Sequence, residues 1–219
     1  MARIAETGAI PDIYSWHQIG SWEREPDRTI PDFNAMREQY GLPERPIDVN
    51  EYASPDEQHP ANTAWFLGQL ERHDIRGLRA NWGGGAGLHD FMGDLVFYDG
   101  EYHANGDWYV YKYYAGMTGE RVATTGSSDY LFDAFATVSD NAVKIIAGTR
   151  TVAAAYELKI SGLSALGLPS DGTVGVRTWQ FNWEGKTTDT GDSLDLGVTD
   201  LTYTGDTVSS ITSQAARCF

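Results

Sequence analysis

Three times before residue 119, an apolar run of strand length gives way to a stretch of helical periodicity, and that alternation admits few folds. Asp12 to His17 reads as a strand. After a polar loop, Pro31 opens a helix that passes through Met36 and Tyr40 and stops at Gly41, with Pro43 beyond it. Ile47 to Asn50 is the next strand, and Pro60 to His73 is a helix carrying Trp65, Phe66 and Leu70. Ile75 to Trp82 is the third strand. A glycine-rich loop, Gly83 to Gly87, then leads through an aromatic segment into a helix from about Asp107 to Met117. This order predicts parallel βαβ units.

Beyond Gly119 the pattern becomes all-β. Leu131 to Val138 and Ala142 to Ala147 flank a turn at Ser139-Asp140-Asn141, and Tyr156 to Ile160 alternates with period two. A turn-rich connection, Leu163 to Gly172, precedes strands at Thr173 to Trp183, Leu194 to Tyr203 and Val208 to Thr212. The expected fold is therefore α/β followed by all-β: residues 1–119 as strand-helix units and residues 120–219 as an antiparallel β-sandwich, packed directly together. Three βα units cannot close a barrel and would leave two bare sheet edges. The expectation is that the chain is the C-terminal portion of a larger protein, with recruitment of a partner for the missing strands as the alternative.

Charge and composition narrow the partners. Sixteen basic against thirty-one acidic residues give a net charge of −15, which repels phosphate backbones and anionic lipid surfaces, so neither nucleic acid nor membrane is expected. No apolar run approaches the roughly 18 residues needed to cross a bilayer, and Met1 to Gly8 lacks the apolar core of a signal peptide. A single cysteine, Cys218, excludes an internal disulfide, and the five histidines form no H-x-x-x-H pair, so no metal is expected. No cofactor is expected either, because Gly83-Gly84-Gly85-Ala86-Gly87 does not match the dinucleotide-binding G-x-G-x-x-G.

One octapeptide concentrates the chemistry. Pro46-Ile47-Asp48-Val49-Asn50-Glu51-Tyr52-Ala53 runs from apolar residues into a carboxylate flanked by an amide and an aromatic. It reads as a strand delivering Glu51 to its C-terminal end, where α/β barrels keep their reactive groups, or as a solvated glutamate opening a loop. Aromatics crowd Phe97 to Tyr114. Tyr109 to Tyr114 suit an interface between the two parts, whereas Phe97, Tyr98 and Tyr102 suit outer ligand subsites.

The strand ends Trp16-His17, Asn50-Glu51-Tyr52 and Asn81-Trp82 together resemble strands six, seven and eight of the (β/α)8 TIM barrel of clan A glycoside hydrolases. Within the clan the chain resembles family 39 and related fungal enzymes, whose barrel is followed by a β-sandwich. The resemblance implies a retaining O-glycosyl hydrolase acting on a glycoside, oligosaccharide or polysaccharide, secreted as a full-length protein. It places the nucleophile at Glu51, a hydrogen-bonding orienter at His17 or Tyr14, and an aromatic sugar floor at Trp82, which is otherwise a core tryptophan at the barrel rim. Trp16, Asn50 and Tyr52 become substrate-contact candidates beside Tyr14, while Asn81 and Arg79 are better suited to structure.

The clan's acid/base glutamate comes from strand four, which this chain lacks, so the isolated chain is expected to be inactive and to pack against the missing N-terminal barrel half. An asparagine before the nucleophile is itself unusual for strand seven, yet too few strands follow Glu51 for it to be strand four. The rival class is a non-catalytic carbohydrate-binding or structural β-sandwich protein with a barrel remnant, in which Trp179 and Trp183 form a platform or, more simply, a sandwich core.

Overall fold

The computed structural model describes residues 1–19, 25–80, 93–139, 142–150 and 152–212. The chain is a mixed α/β protein rich in sheet. A short helix α1 (Ala2–Thr7), which buries none of its residues, precedes β1 (Tyr14–Gln18), α2 (Pro26–Gln39), β2 (Ile47–Tyr52), α3 (Pro60–Arg72) and β3 (Arg76–Arg79). The three strands form a parallel sheet in the order β1-β2-β3, as strand-helix alternation requires.

Two boundaries differ from the sequence expectation. Helix α2 starts at Pro26, not Pro31, and Pro31 lies inside it. Both prolines fit a first-turn position, but the helix takes the earlier one and tolerates the backbone bond that the second removes. The aromatic segment before the last helix is a hairpin, β4 (Leu95–Tyr98) with β5 (Glu101–Ala104). Asp99 and Gly100 turn it with φ of 53° and 84°, the left-handed pair of a tight hairpin turn. Helix α4 (Gly106–Ala115) follows, capped by Asn105, whose side chain accepts from the Asp107 and Trp108 amides.

Helix α3 organises the molecule. His59 caps it and Pro60 takes its first position. From Asn62 to Leu70 every residue is buried, because two layers cover the helix from opposite sides. Trp65, Phe66 and Leu70 pack with Val49, Tyr52 and Ala53 of the parallel sheet. Ala64 and Leu67 pack with Val110 of α4 and with Phe135 and Ile146. The last two belong to β7 (Phe132–Ser139) and β8 (Ala142–Thr149), which with β6 (Glu120–Arg121) form an antiparallel sheet. Small residues permit the close approach: a Cβ on Gly148 would sit 2.0 Å from the Ala61 carbonyl oxygen, and one on Gly68 3.0 Å from the Ala134 backbone.

Buried ions cross the same seam. Arg72 joins Asp133 of β7 to Asp27 of α2, and its Nε donates to the Thr124 carbonyl at 3.0 Å. Arg150, after β8, donates to Glu57 at 2.9 Å and lies 4.8 Å from the centre of the Trp65 ring. The packing therefore runs across residue 119. The remaining strands make two further antiparallel ladders: β9 (Tyr156–Ser161) with β12 (Thr207–Thr212), and β10 (Gly172–Gln180) with β11 (Leu194–Tyr203). Leu163, Tyr203 and Val208 form their small core. Trp179 lies outside it, 39% exposed with Arg177 against its ring.

Candidate functional site

Among the described residues the parallel sheet has one covered face and one open face. Tyr14, Trp16 and Gln18 of β1 and Val49 and Tyr52 of β2 point to the helices. A Cβ on Gly77 of β3 would meet Leu70 and Tyr52, so that side of β3 also faces α3. The open face carries Ser15, His17, Asp48, Glu51, Arg76 and Leu78. Arg76 pairs with Asp48 at 3.1 Å, and Leu78 is 64% exposed. Parallel sheets in folded proteins are covered on both faces.

Glu51 reaches the open face through a bulge. The register pairs Trp16 with Val49 but His17 with Glu51, so Asn50 is an extra residue on β2. The same excess appears on the other side, where Val49 pairs with Gly77 and Tyr52 with Arg79. Strict alternation would put Glu51 beside Val49 against the helices; the inserted Asn50 turns it outward and returns Tyr52 to the core. Nδ1 of His17 then lies 3.3 Å from Oε2 of Glu51, with their side chains 56% and 31% exposed. Both stand at the C-terminal end of adjacent parallel strands.

Just past Glu51 the backbone is strained. Ala53, fully buried, has φ 65°, a left-handed conformation that costs an L-residue about 1–2 kcal/mol. Such residues persist where their surroundings over-determine them, often at functional sites. Here Tyr52 offers its carbonyl to the Ala80 amide at 2.7 Å, which ties the ends of β2 and β3 together. Beneath them the Tyr52 and Tyr111 hydroxyls meet at 2.7 Å. Burial pushes the Tyr52 hydroxyl up to about 12 and that of Tyr111 well above its ordinary value, so neither serves as an acid or base near neutral pH.

The residues singled out from sequence thus separate. The structure brings His17, Glu51 and the exposed Asn50 together. Tyr14, at the start of β1, is buried and donates to the Pro43 carbonyl at 3.1 Å. Trp16 packs on Phe33 of α2 at 5.0 Å between ring centres, and Tyr52 is sealed under the sheet, so all three lie behind the open face. Trp82 and Asn81 lie outside the described residues. Phe97 and Tyr102 meet across the hairpin with ring centres 5.0 Å apart and planes tilted by 57°, largely exposed, while Tyr111, Tyr113 and Tyr114 pack against the second core.

Sequence reasoning missed a buried ionic group behind β3. Arg79 bridges Asp94 and Asp107, the latter fully buried in the first turn of α4. Burial, reinforced by the charge of Asp107, pushes Asp94 up to about 7. Its members are spread from residue 79 to residue 107, so no local motif announces it. Among the described residues no group of three or more His, Cys, Asp or Glu could hold a metal ion, and no helix is long and apolar enough to cross a membrane.

No family model matches the chain. Over 120 residues, 54% of this chain, it is 22% identical to a 3-O-alpha-D-galactosyl-alpha-L-arabinofuranosidase of Bifidobacterium longum subsp. longum, and the match spans 10% of that protein. Among solved structures, N2152 from Neocallimastix frontalis superposes with a TM-score of 0.77 at 24% identity, over 96% of this chain and 52% of that one. The chain shares its fold with about half of that protein. A family 39 glycoside hydrolase from Bacteroides cellulosilyticus aligns over 98% of this chain and 46% of its own at 14% identity, with a TM-score of 0.48, too loose a superposition to bear on function. The sequence match supports a relationship to glycoside hydrolases.

Proposed function

We propose that the chain is the nucleophile-bearing part of a retaining glycoside hydrolase, with β1, β2 and β3 as strands six to eight of a (β/α)8 barrel. The observation that carries this reading is the contact of His17 and Glu51, at the C-terminal end of neighbouring parallel strands, on a face that the described residues leave open. The carboxylate of Glu51 attacks the anomeric carbon as the glycosidic C–O bond breaks, and a second carboxylic acid about 5.5 Å away protonates the leaving oxygen. Water, deprotonated by that same second group, then displaces Glu51 from the sugar. His17 holds the Glu51 oxygen that is not attacking.

The second acid comes from polypeptide beyond these 219 residues, which also covers Leu78 and the two sheet edges. Without it the chain lacks leaving-group assistance of about 10²- to 10⁴-fold. The name of the bacterial relative makes α-L-arabinofuranosides, free or galactosylated, the first substrates to assay.

The test uses 4-nitrophenyl α-L-arabinofuranoside, β-D-xyloside and α-D-galactoside with two proteins: the chain alone and a longer protein containing it. The chain alone is expected to give no turnover above background. In the longer protein Glu51→Gln should lower kcat by roughly 10³-fold or more, with retained anomeric configuration in the wild type. Wild-type turnover in the Glu51→Gln protein, or inverted product, would sink the proposal.

A further inference from the structure

Gln58 is 1% exposed and stands at the junction of the two strand ends nearest Glu51. Its side-chain Nε2 donates to the carbonyl of Ala53, two residues past Glu51, at 3.2 Å, and to that of Ala80, immediately past β3, at 2.8 Å. Its Oε1 accepts from the ammonium of Lys186, which lies 128 residues further along the chain, after β10. The segment that brings Lys186 there is pressed onto the start of α4. The Lys186 carbonyl accepts from Asn105 Nδ2 at 3.0 Å, and a Cβ on Gly106 would sit 1.7 Å from the Asn182 carbonyl oxygen.

A glutamine amide has two ends, and which end faces which neighbour decides what it can hold. An ammonium only donates, so it must meet Oε1; both amide hydrogens are then left for the two carbonyls, and each finds one. With the amide reversed, Nε2 would oppose the ammonium and Oε1 would oppose two carbonyls. We propose that Lys186 is a positioning residue for the Glu51 site: by fixing the orientation of Gln58 it holds the strained turn at Ala53, and so sets the direction in which Glu51 leaves β2. The β-rich part thereby takes a share in the chemistry at the strand ends. The functional meaning of this inference rests on Glu51 as nucleophile, whereas its geometry does not.

The experiment is nuclear magnetic resonance on the 219-residue chain, following the Gln58 side-chain amide and the ring nitrogens of His17. In Lys186→Met the Gln58 amide hydrogens should exchange about tenfold faster, as expected when one charge-assisted bond to a buried partner is lost. The Nδ1 resonance of His17 should move with them, and Lys186→Arg should restore both signals. Lys186→Gln, which keeps a donor without the charge, serves the same comparison where the methionine variant does not fold.

Unchanged Gln58 and His17 signals in a variant with a lowered melting temperature would show a merely structural lysine and overturn the proposal. In an active longer protein Lys186→Met should lower kcat about tenfold at unchanged KM. Full activity of Glu51→Gln would instead dispose of the nucleophile while leaving the Lys186–Gln58 result in place.

Discussion

Val49 and Glu51 are two residues apart on one strand and point to opposite faces of the sheet, Val49 into the helix layer and Glu51 toward His17. The residue between them makes this possible. An even spacing on an unbroken strand keeps two side chains on the same face, so with Asn50 present the candidate carboxylate at this end of β2 faces outward only because Asn50 bulges from the ladder.

Removing that residue and changing it should therefore both leave Glu51 on the His17 side. Asn50→Ala leaves the bulge and alters one exposed side chain, so stability should stay within about 0.5 kcal/mol of wild type. Deletion of Asn50 turns the bulge into a regular strand on which Val49, Glu51 and Tyr52 alternate inward, outward and inward, so Glu51 stays beside His17 and stability should change by no more than about 1 kcal/mol. Urea unfolding of the two proteins makes the comparison, and a loss of about 3 kcal/mol or more on deletion, as expected if Tyr52 were driven out of the core, would contradict the bulge.

Ala53 gives a second test. Ala53→Gly relieves about 1 kcal/mol of left-handed strain, but loses a buried methyl group and adds freedom to the unfolded chain. The expected net change is close to zero. Ala53→Val meets both the strain and a fully packed site, and should lose about 2 kcal/mol or more in the same assay.

His59 predicts a pH dependence. Burial, opposed by the nearby Glu57, holds its imidazole at about 4, against 6.5 for the free group, and its Nδ1 accepts the Asn62 amide at 3.4 Å in capping α3. The native state therefore favours the neutral ring. Its contribution is present above pH 6.5 and is lost as pH falls toward 4. His59→Asn keeps a capping acceptor and no longer titrates. The wild type should lose on the order of 2 kcal/mol more than the variant between pH 7 and pH 4.5, measured by urea unfolding at the two values.

The seam along α3 predicts that residues 1–119 do not fold alone. Cutting there exposes Ala64, Leu67 and Gly68 and leaves Arg72 without Asp133. A dispersed amide spectrum from this fragment would contradict the packing described above. In the whole chain Asp133→Ala should cost about 3 kcal/mol, because Arg72 keeps Asp27 as its one remaining carboxylate.

Much of the fold is legible in the residues. Strands bounded by turn-forming residues fall where the apolar runs predict them, and Leu194–Tyr203 matches to the residue. The β4–β5 hairpin escaped because Phe97, Tyr98 and Tyr102 read as outer subsites in a segment leading to a helix, although Asp99-Gly100 is a strong hairpin signal. Helix α1 escaped because it has no apolar stripe to bury.

The candidate site was harder to read. That His17 and Glu51 stand on adjacent strand ends followed from strand order and from the resemblance. The bulge at Asn50 could not, since nothing in the local pattern distinguishes an outward Glu51 from an inward one. Gln58 and Lys186 carry no local signal at all, because their pairing is a product of tertiary packing.

The burial of α3 on both sides has a mechanical consequence. A helix gripped by two layers and crossed by buried ion pairs gives its neighbours nothing to swing about, so the parallel sheet and the β6–β8 sheet move as one body.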